Sequence, residues 1–273
     1  MLYHYTSFET LLAILEGITV RNNEHYLYLH ATRIDKLNDP TEMEMKKKTL
    51  VGLLRYYEEQ NNVEEKYQLA KYVEEISDND IVGISQSEKT SHSPYILCFS
   101  TKKDYLPMWS LYGDKHHGVC LCFPDEVVGE ISYSEVPIVS GKVAYSNIKK
   151  SEAIKTALWL QYNIIKKEGN MGKIKDITAD IITEISPFIK NSSYKYEQEF
   201  RLSVHNYHTN RELCRTSYEN TPNYLTIDIP VRFLQGIILG AKIPFNITKE
   251  LLDAYFKKKN MKIDIKPSNI PFI

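Results

Sequence analysis

The sequence has no excess of charge of either sign. Its 34 Lys and Arg stand against 35 Asp and Glu, a net charge of -1, so no global field draws it to nucleic acid or anionic membrane. Any polyanion binding has to be local, and broad nucleic-acid binding is not expected. Long hydrophobic runs are missing too. None approaches the ~20 apolar residues of a bilayer span, and Met1-Leu2-Tyr3-His4-Tyr5 has neither the basic region nor the apolar stretch of a secretory signal. A cytosolic protein with no membrane partner is the expectation.

Cysteine is scarce. Cys98, Cys120, Cys122 and Cys214 lack the C-x2-C spacing of a zinc knuckle, and four thiols in a chain of 273 residues do not make a disulfide scaffold. Cys120 and Cys122 alternate within Gly-Val-Cys-Leu-Cys-Phe, a period that puts both on one face of a strand as packing residues. The adjacent His116 and His117 point different ways and have no third ligand at a telling spacing, so no metal is expected.

What the sequence does have is length and tyrosine. A chain of 273 residues buries roughly 75% of its unfolded surface. The 20 Tyr against 9 Phe and 2 Trp suit clefts and surfaces that are half apolar and half wet, since a phenol packs while keeping a polar tip.

The pattern along the chain predicts one α+β domain with two helical insertions. Residues 2–5 form a strand, Thr6 or Ser7 caps a helix carrying Phe8, Leu11, Leu12, Ile14 and Leu15, and Gly17 ends it. Residues 26–30 are extended. Asp39 caps a helix that Pro40 opens, with Glu42 in its first turn. Residues 41–76 then read as a helical hairpin, 77–93 as a polar, mobile loop, and 149–189 as a second helical region. Further strands are expected at 95–100, 118–123, 141–145, 196–204, 224–229 and 236–239, with a short helical turn at 108–113. There are no internal repeats, so the chain is taken as a single domain, 1–273.

Three segments can carry chemistry. On a strand through 196–204, Glu197, Glu199 and Arg201 share one face, about 6 to 7 Å apart, and Tyr196, Gln198, Phe200 and Leu202 the other. The first set is either a solvated strand face or a cleft where a carboxylate stabilises developing positive charge and the arginine pairs with it or with a phosphate. Asn38, Asp39 and Glu42 sit around a helix N-terminus, as cap or as ligand contacts. Cys98-Phe99-Ser100-Thr101 precedes Met108-Trp109-Ser110-Leu111-Tyr112-Gly113, where Trp109 and Tyr112 are core anchors or a stacking wall. His4 lies mid-strand between two tyrosines. The basic runs 46–48 and 257–259 read as solvated helix faces.

Together these segments resemble a bacterial family classed as a domain of unknown function. The resemblance rests on Leu2-Tyr3-His4-Tyr5-Thr6-Ser7, Asn38-Asp39-Pro40-Thr41-Glu42, Cys98-Phe99-Ser100 ahead of Met108-Trp109 and Tyr112, Gly118-Val119-Cys120, and Tyr196-Glu197-Gln198-Glu199-Phe200-Arg201-Leu202. It departs at Tyr194-Lys195-Tyr196, where the family more often has a Trp two residues before the first Glu. That family's layout is similar to the ADP-ribosyltransferase superfamily, with a first-strand His, a hydroxyl element on a second strand and a Glu-x-Glu on a third. The similarity implies a mainly antiparallel split β-sheet core and NAD as co-substrate. It implies that His4 hydrogen-bonds NAD, that Ser100 and Thr101 support the nicotinamide pocket, and that Tyr5, Trp109 and Tyr112 stack the leaving nicotinamide. It also implies that Arg201 meets the pyrophosphate, Glu199 holds the nicotinamide ribose, and Glu197 orients the acceptor, a macromolecule or water. Two other readings stay open. One is a Mg2+- or Mn2+-dependent hydrolase or nuclease using Asp39, Glu42, Glu197 and Glu199. The other is a non-catalytic module that binds a nucleotide or a partner.

Overall fold

Strand alternation and one serine cap fix the first elements. In the computed structural model, which describes residues 1–39, 41–91, 93–132, 138–169, 173–204 and 223–271, β1 (Leu2–Thr6) turns Leu2 into one core and Tyr3 and Tyr5 into another. Ser7 then caps α1 (Phe8–Glu16), its hydroxyl accepting from the Thr10 amide at 3.0 Å, and Gly17 closes it. The later strands are β2 (Thr19–Arg21), β3 (Glu24–Arg33), β4 (Tyr95–Ser100), β5 (Val119–Phe123), β6 (Ile138–Lys142), β7 (Glu199–Val204), β8 (Tyr224–Pro230), β9 (Gly236–Leu239) and β10 (Asp264–Pro267). The later helices are α2 (Lys47–Gln60), α3 (Ala70–Glu75), α4 (Asp78–Ser91), α5 (Leu106–Leu111), α6 (Val127–Ser132), α7 (Glu152–Glu168), α8 (Ile174–Ile185) and α9 (Phe245–Lys258). Among the described residues, no helix is long and apolar enough to cross a membrane.

The strands build one α+β sheet, mostly antiparallel, in which, among the described residues, only the strands β9 and β10 pair in parallel. It splits at β4. One edge of β4 pairs with β7 over its whole length. On the other edge β3 takes only Tyr95 and Ile96, and β1 takes only Ser100, opposite Tyr3. Between those contacts β1 and β3 diverge, and Cys98 has no strand partner on that edge. A buried carbonyl cannot stay unpaired cheaply, and the His4 ring supplies the bond, Nδ1 to Cys98 O at 3.0 Å.

Among the described residues four hydrophobic clusters hold this frame, the smallest formed by Ile34, Met43 and Ile96. On one sheet face Leu97, Phe99, Leu121 and Leu202 pack against Leu11, Leu15, Val127 and Phe256 from α1, α6 and α9. On the other face α5 lays Met108 and Trp109 over Tyr3, Tyr5, Cys120, Cys122 and Ile238, so the two alternating cysteines are packing residues, as expected. The two helical insertions pack on each other, with Leu50, Leu54, Ile81, Tyr162, Ile181 and Phe188 in one shared core. Each such side chain contributes about 1.5–3 kcal/mol when fully buried.

Several expectations fail for physical reasons. Residues 78–91 are helical and not a loop: the Ser77 hydroxyl accepts from the Asp80 amide at 3.1 Å, Asp78 and Asp80 favour the helix dipole, and Ile81 anchors the polar helix in the insertion core. No helix starts at Thr41. Asp39 Oδ1 accepts from the Thr41 amide at 2.9 Å and its hydroxyl at 2.6 Å, closing a side-chain turn, and α2 begins only at Lys47. Pro40 and Cys214 lie outside the described residues. Tyr196 and Glu197 end a 3-10 segment, Ser192–Glu197, and Gln198 at φ 48° reverses the chain before β7 starts. Tyr196 is consequently 55% exposed and does not share a strand face with Phe200 and Leu202. The strand expected at 141–145 runs over Ile138–Lys142 instead.

Candidate functional site

The split in the sheet opens into a cavity of about 260 Å³ lined in part by His4, Tyr5, Ser100, Tyr112, Glu197 and Glu199. Its inner end is built by β7. Alternation turns Leu202 and Val204 into the core and leaves Glu199 and Arg201 on the cavity face, both buried. Arg201 Nε donates to Glu199 Oε1 at 2.9 Å. Its Nη1 and Nη2 grip both oxygens of Glu42 at 2.9 and 2.6 Å, and Nη1 also reaches Pro187 O at 2.7 Å. This bidentate geometry suits a planar guanidinium.

The second cation comes from the helical insertion. Beyond α8 a 3-10 turn, Ser186–Phe188, leads to Lys190, whose amide donates to Ala144 O at 3.2 Å. Lys190 Nζ donates to Glu197 Oε2 at 2.6 Å and Glu199 Oε2 at 3.3 Å, and stands over the Tyr194 ring at 4.6 Å. Tyr112 OH donates to the other Glu197 oxygen at 2.8 Å. Ser100 Oγ donates to Glu197 O at 2.8 Å and accepts from the Lys102 amide at 3.2 Å, while the Glu199 amide donates to Tyr145 OH at 3.1 Å. Glu197 is thus held from three sides although it is not on the strand.

Three carboxylates, of Glu42, Glu197 and Glu199, share two cations, leaving the buried group one negative charge in excess. Burial pushes the Glu199 carboxyl up, but Arg201 and Lys190 outweigh it and hold the group below the usual carboxylate range. Burial opposes charge on Lys190 as well. Glu199 and Glu197 prevail over that and over Arg201, and keep the ammonium above its ordinary value. Burial and Glu197 both raise the Tyr112 phenol, so it remains a donor. Burial also pushes the Cys98 thiol well up. Burial lowers His4 more than its bond to Cys98 O raises it, so the ring is neutral near neutral pH. Because a carbonyl only accepts, Nδ1 carries the proton and Nε2 the lone pair.

The expected site residues separate into two groups. His4, Tyr5, Ser100, Tyr112, Glu197, Glu199, Arg201 and Asn38 all border the one cavity. Trp109 does not: it is 0% exposed, packs edge-on to Tyr5 with centroids 5.1 Å apart, and donates to Asp104 at 2.8 Å. Thr101 is spent on Gln198 O, bonded at 3.1 Å by its hydroxyl and 2.9 Å by its amide. Asp39 and Glu42 are buried behind the cavity, and only Glu42 joins the charged group. Of the four carboxylates proposed for a divalent ion, Glu197 and Glu199 border the cavity while Asp39 and Glu42 do not, and Lys190 and Arg201 already pair with Glu42, Glu197 and Glu199. Among the described residues no group of three or more His, Cys, Asp or Glu could hold a metal ion.

Lys190 and Tyr145 were missed. Neither sits in a motif, and each reaches the site only through the packing of the second insertion against β6 and β7.

The fold and this charged cavity define an α+β protein with a buried Glu-x-Glu site. Residues 108–202 are similar to the family model described as Protein of unknown function (DUF2971), and Tyr112, Lys190, Glu197, Glu199 and Arg201 all fall within the matched segment. No curated protein and no solved structure matches the chain.

Proposed function

We propose that this protein binds NAD in the split-sheet cavity and cleaves its nicotinamide–ribose bond, passing ADP-ribose to a macromolecular acceptor or to water. The observation that carries this reading is the meeting of His4, Ser100 and Glu199 around one cavity, although they lie on three different strands. Breaking the bond sends its electron pair to the cationic ring, which leaves as neutral nicotinamide, while positive charge grows on the ribose. A carboxylate held ionised out of bulk water favours that developing charge more than the ground state. Glu199 fits the task, since Arg201 and Lys190 keep it charged. Glu197, positioned by Tyr112, Lys190 and Ser100, is placed to orient the incoming nucleophile and take its proton. Neutral His4 offers Nε2 to a ribose hydroxyl, and Tyr5 and Tyr112 offer ring faces to the base. The cavity accommodates a nucleoside-sized group, with the remainder of the dinucleotide in its opening.

The test is nicotinamide release from NAD by purified protein, with and without cell extract as acceptor source, beside a thermal-shift titration with NAD. The reading predicts stabilisation by NAD and turnover that Glu199→Gln abolishes while the variant stays folded. A well-folded wild-type protein that neither binds nor consumes NAD contradicts it.

A further inference from the structure

The cations around the cavity are not equivalent. Arg201 is 1% exposed and its guanidinium is taken up by Glu42, Glu199 and Pro187 O. Lys190 is committed to Glu197 and Glu199. A phosphate placed at that end would meet a group with an excess negative charge and two cations already paired. Lys36 differs. It lines the same cavity with a side chain 49% exposed, and its ion pair is with Asp35 at 3.5 Å. Asp35 is itself gripped by Arg33 through both oxygens, so the Lys36 ammonium is left largely uncompensated. On the same cavity wall are His30, stacked on Tyr224 with centroids 4.2 Å apart, and Thr32, whereas the Asn38 side chain bonds Tyr112 at the carboxylate end. Burial lowers the His30 pKa, which leaves its ring a neutral hydrogen-bonding group near neutral pH.

Strand register separates this wall from the carboxylates. Thr32 pairs with Ile96, whereas Glu199 pairs with Ser100, four residues further along β4, which is roughly 13 Å at the rise of a strand. The cavity is therefore polarised, with an anionic inner end and a cationic, donor-bearing rim.

We propose that Lys36, supported by His30 and Thr32, is the phosphate-recognising rim of this cavity, and that Arg201 does not contact the ligand. The assignment rests on the NAD reading and sharpens it. It selects ligands whose cationic or charge-developing end enters first and whose phosphates stay at the mouth, and it replaces the expectation that Arg201 meets the pyrophosphate. Lys36 is the specificity residue and Arg201 a positioning residue for Glu199.

Calorimetric titration of wild type, Lys36→Ala and Lys36→Arg with NAD, nicotinamide riboside and inorganic pyrophosphate separates the possibilities. Unchanged melting temperatures verify the fold of both variants. Lys36→Ala is expected to weaken NAD and pyrophosphate by about tenfold or more, the scale of a lost hydrogen bond to a charged group. It should leave nicotinamide riboside unchanged and flatten the salt dependence of NAD binding, while Lys36→Arg restores most of the affinity. Equal NAD affinity in wild type and Lys36→Ala overturns the rim assignment and leaves the NAD reading intact. Pyrophosphate binding that depends on Lys36, with no binding of NAD or nicotinamide riboside, supports the rim and removes the NAD reading. Failure of all three ligands to bind wild type overturns both.

Discussion

At the scale of single residues, the charged group of Glu42, Glu197, Glu199, Lys190 and Arg201 adds little net stability but is costly to break. Taking five charges out of water costs about what their mutual attraction returns, but deleting one partner leaves the others stranded. Lys190→Met is accordingly expected to destabilise the fold by about 3–5 kcal/mol, measured by urea unfolding, because Glu197 loses its 2.6 Å partner and Glu199 one of its two cations. A change below 1 kcal/mol would mean that the carboxylates are solvated. The same geometry sets a pH dependence. Glu199 titrates lower folded than unfolded, so its stabilisation is present above the ordinary glutamate value near ~4.3 and is lost as pH falls through the folded value. Lys190 titrates higher folded, so its stabilisation is present below ~10.4 and is lost as pH rises through the folded value. Urea midpoints plotted against pH should fall on both flanks for wild type, and Lys190→Met should lose the Lys190 contribution on the alkaline flank.

At the scale of elements, capping and close approach matter most. Ser7→Ala removes the hydroxyl that receives the Thr10 amide and should cost about 1 kcal/mol, read as a lower melting temperature. Gly118 precedes β5, donates to Gly113 O at 2.9 Å, and leaves no room for a side chain, since a Cβ there overlaps Thr6 O. Gly118→Ala should cost about 1–3 kcal/mol through forced backbone shifts; an unchanged melting temperature would show that the turn relaxes freely. These elements were also the legible ones. Ser7, Gly17 and the alternation through 95–100 and 119–123 announce themselves within a few residues. Residues 78–91 did not, because a polar helix is stabilised by Ile81 and Ile84 packing on a distant bundle and carries little periodicity of its own. Glu197 was given the right neighbours and the wrong backbone: nothing in a run of alternating residues signals the left-handed turn at Gln198.

At the scale of the whole molecule, the site is a product of topology. β4 shares one edge between β1 and β3, and the gap between them is the cavity. The helical insertions then deliver Glu42 ahead of α2 and Lys190 after α8 to a single point on β7. His4, Ser100, Tyr112 and Glu199 were legible because each lies in a distinctive short segment. Lys190, Tyr145 and Lys36 were not, because only the tertiary arrangement brings them there. Trp109 was readable as either core or wall, and its indole bond to Asp104 and packing on Tyr5 place it in the core. The tyrosine excess is accounted for in part: Tyr5 and Tyr112 line the cavity and Tyr145 braces Glu199.

In the proposed function, an ionised Glu199 in this cavity drives cleavage of NAD. Its most direct measurement is nicotinamide release from NAD by wild type and Glu199→Gln, matched for folded fraction and supplied with cell extract. The account predicts time-dependent release by wild type and none above background by the variant. Equal release from both, or NAD left intact by folded wild type, contradicts it.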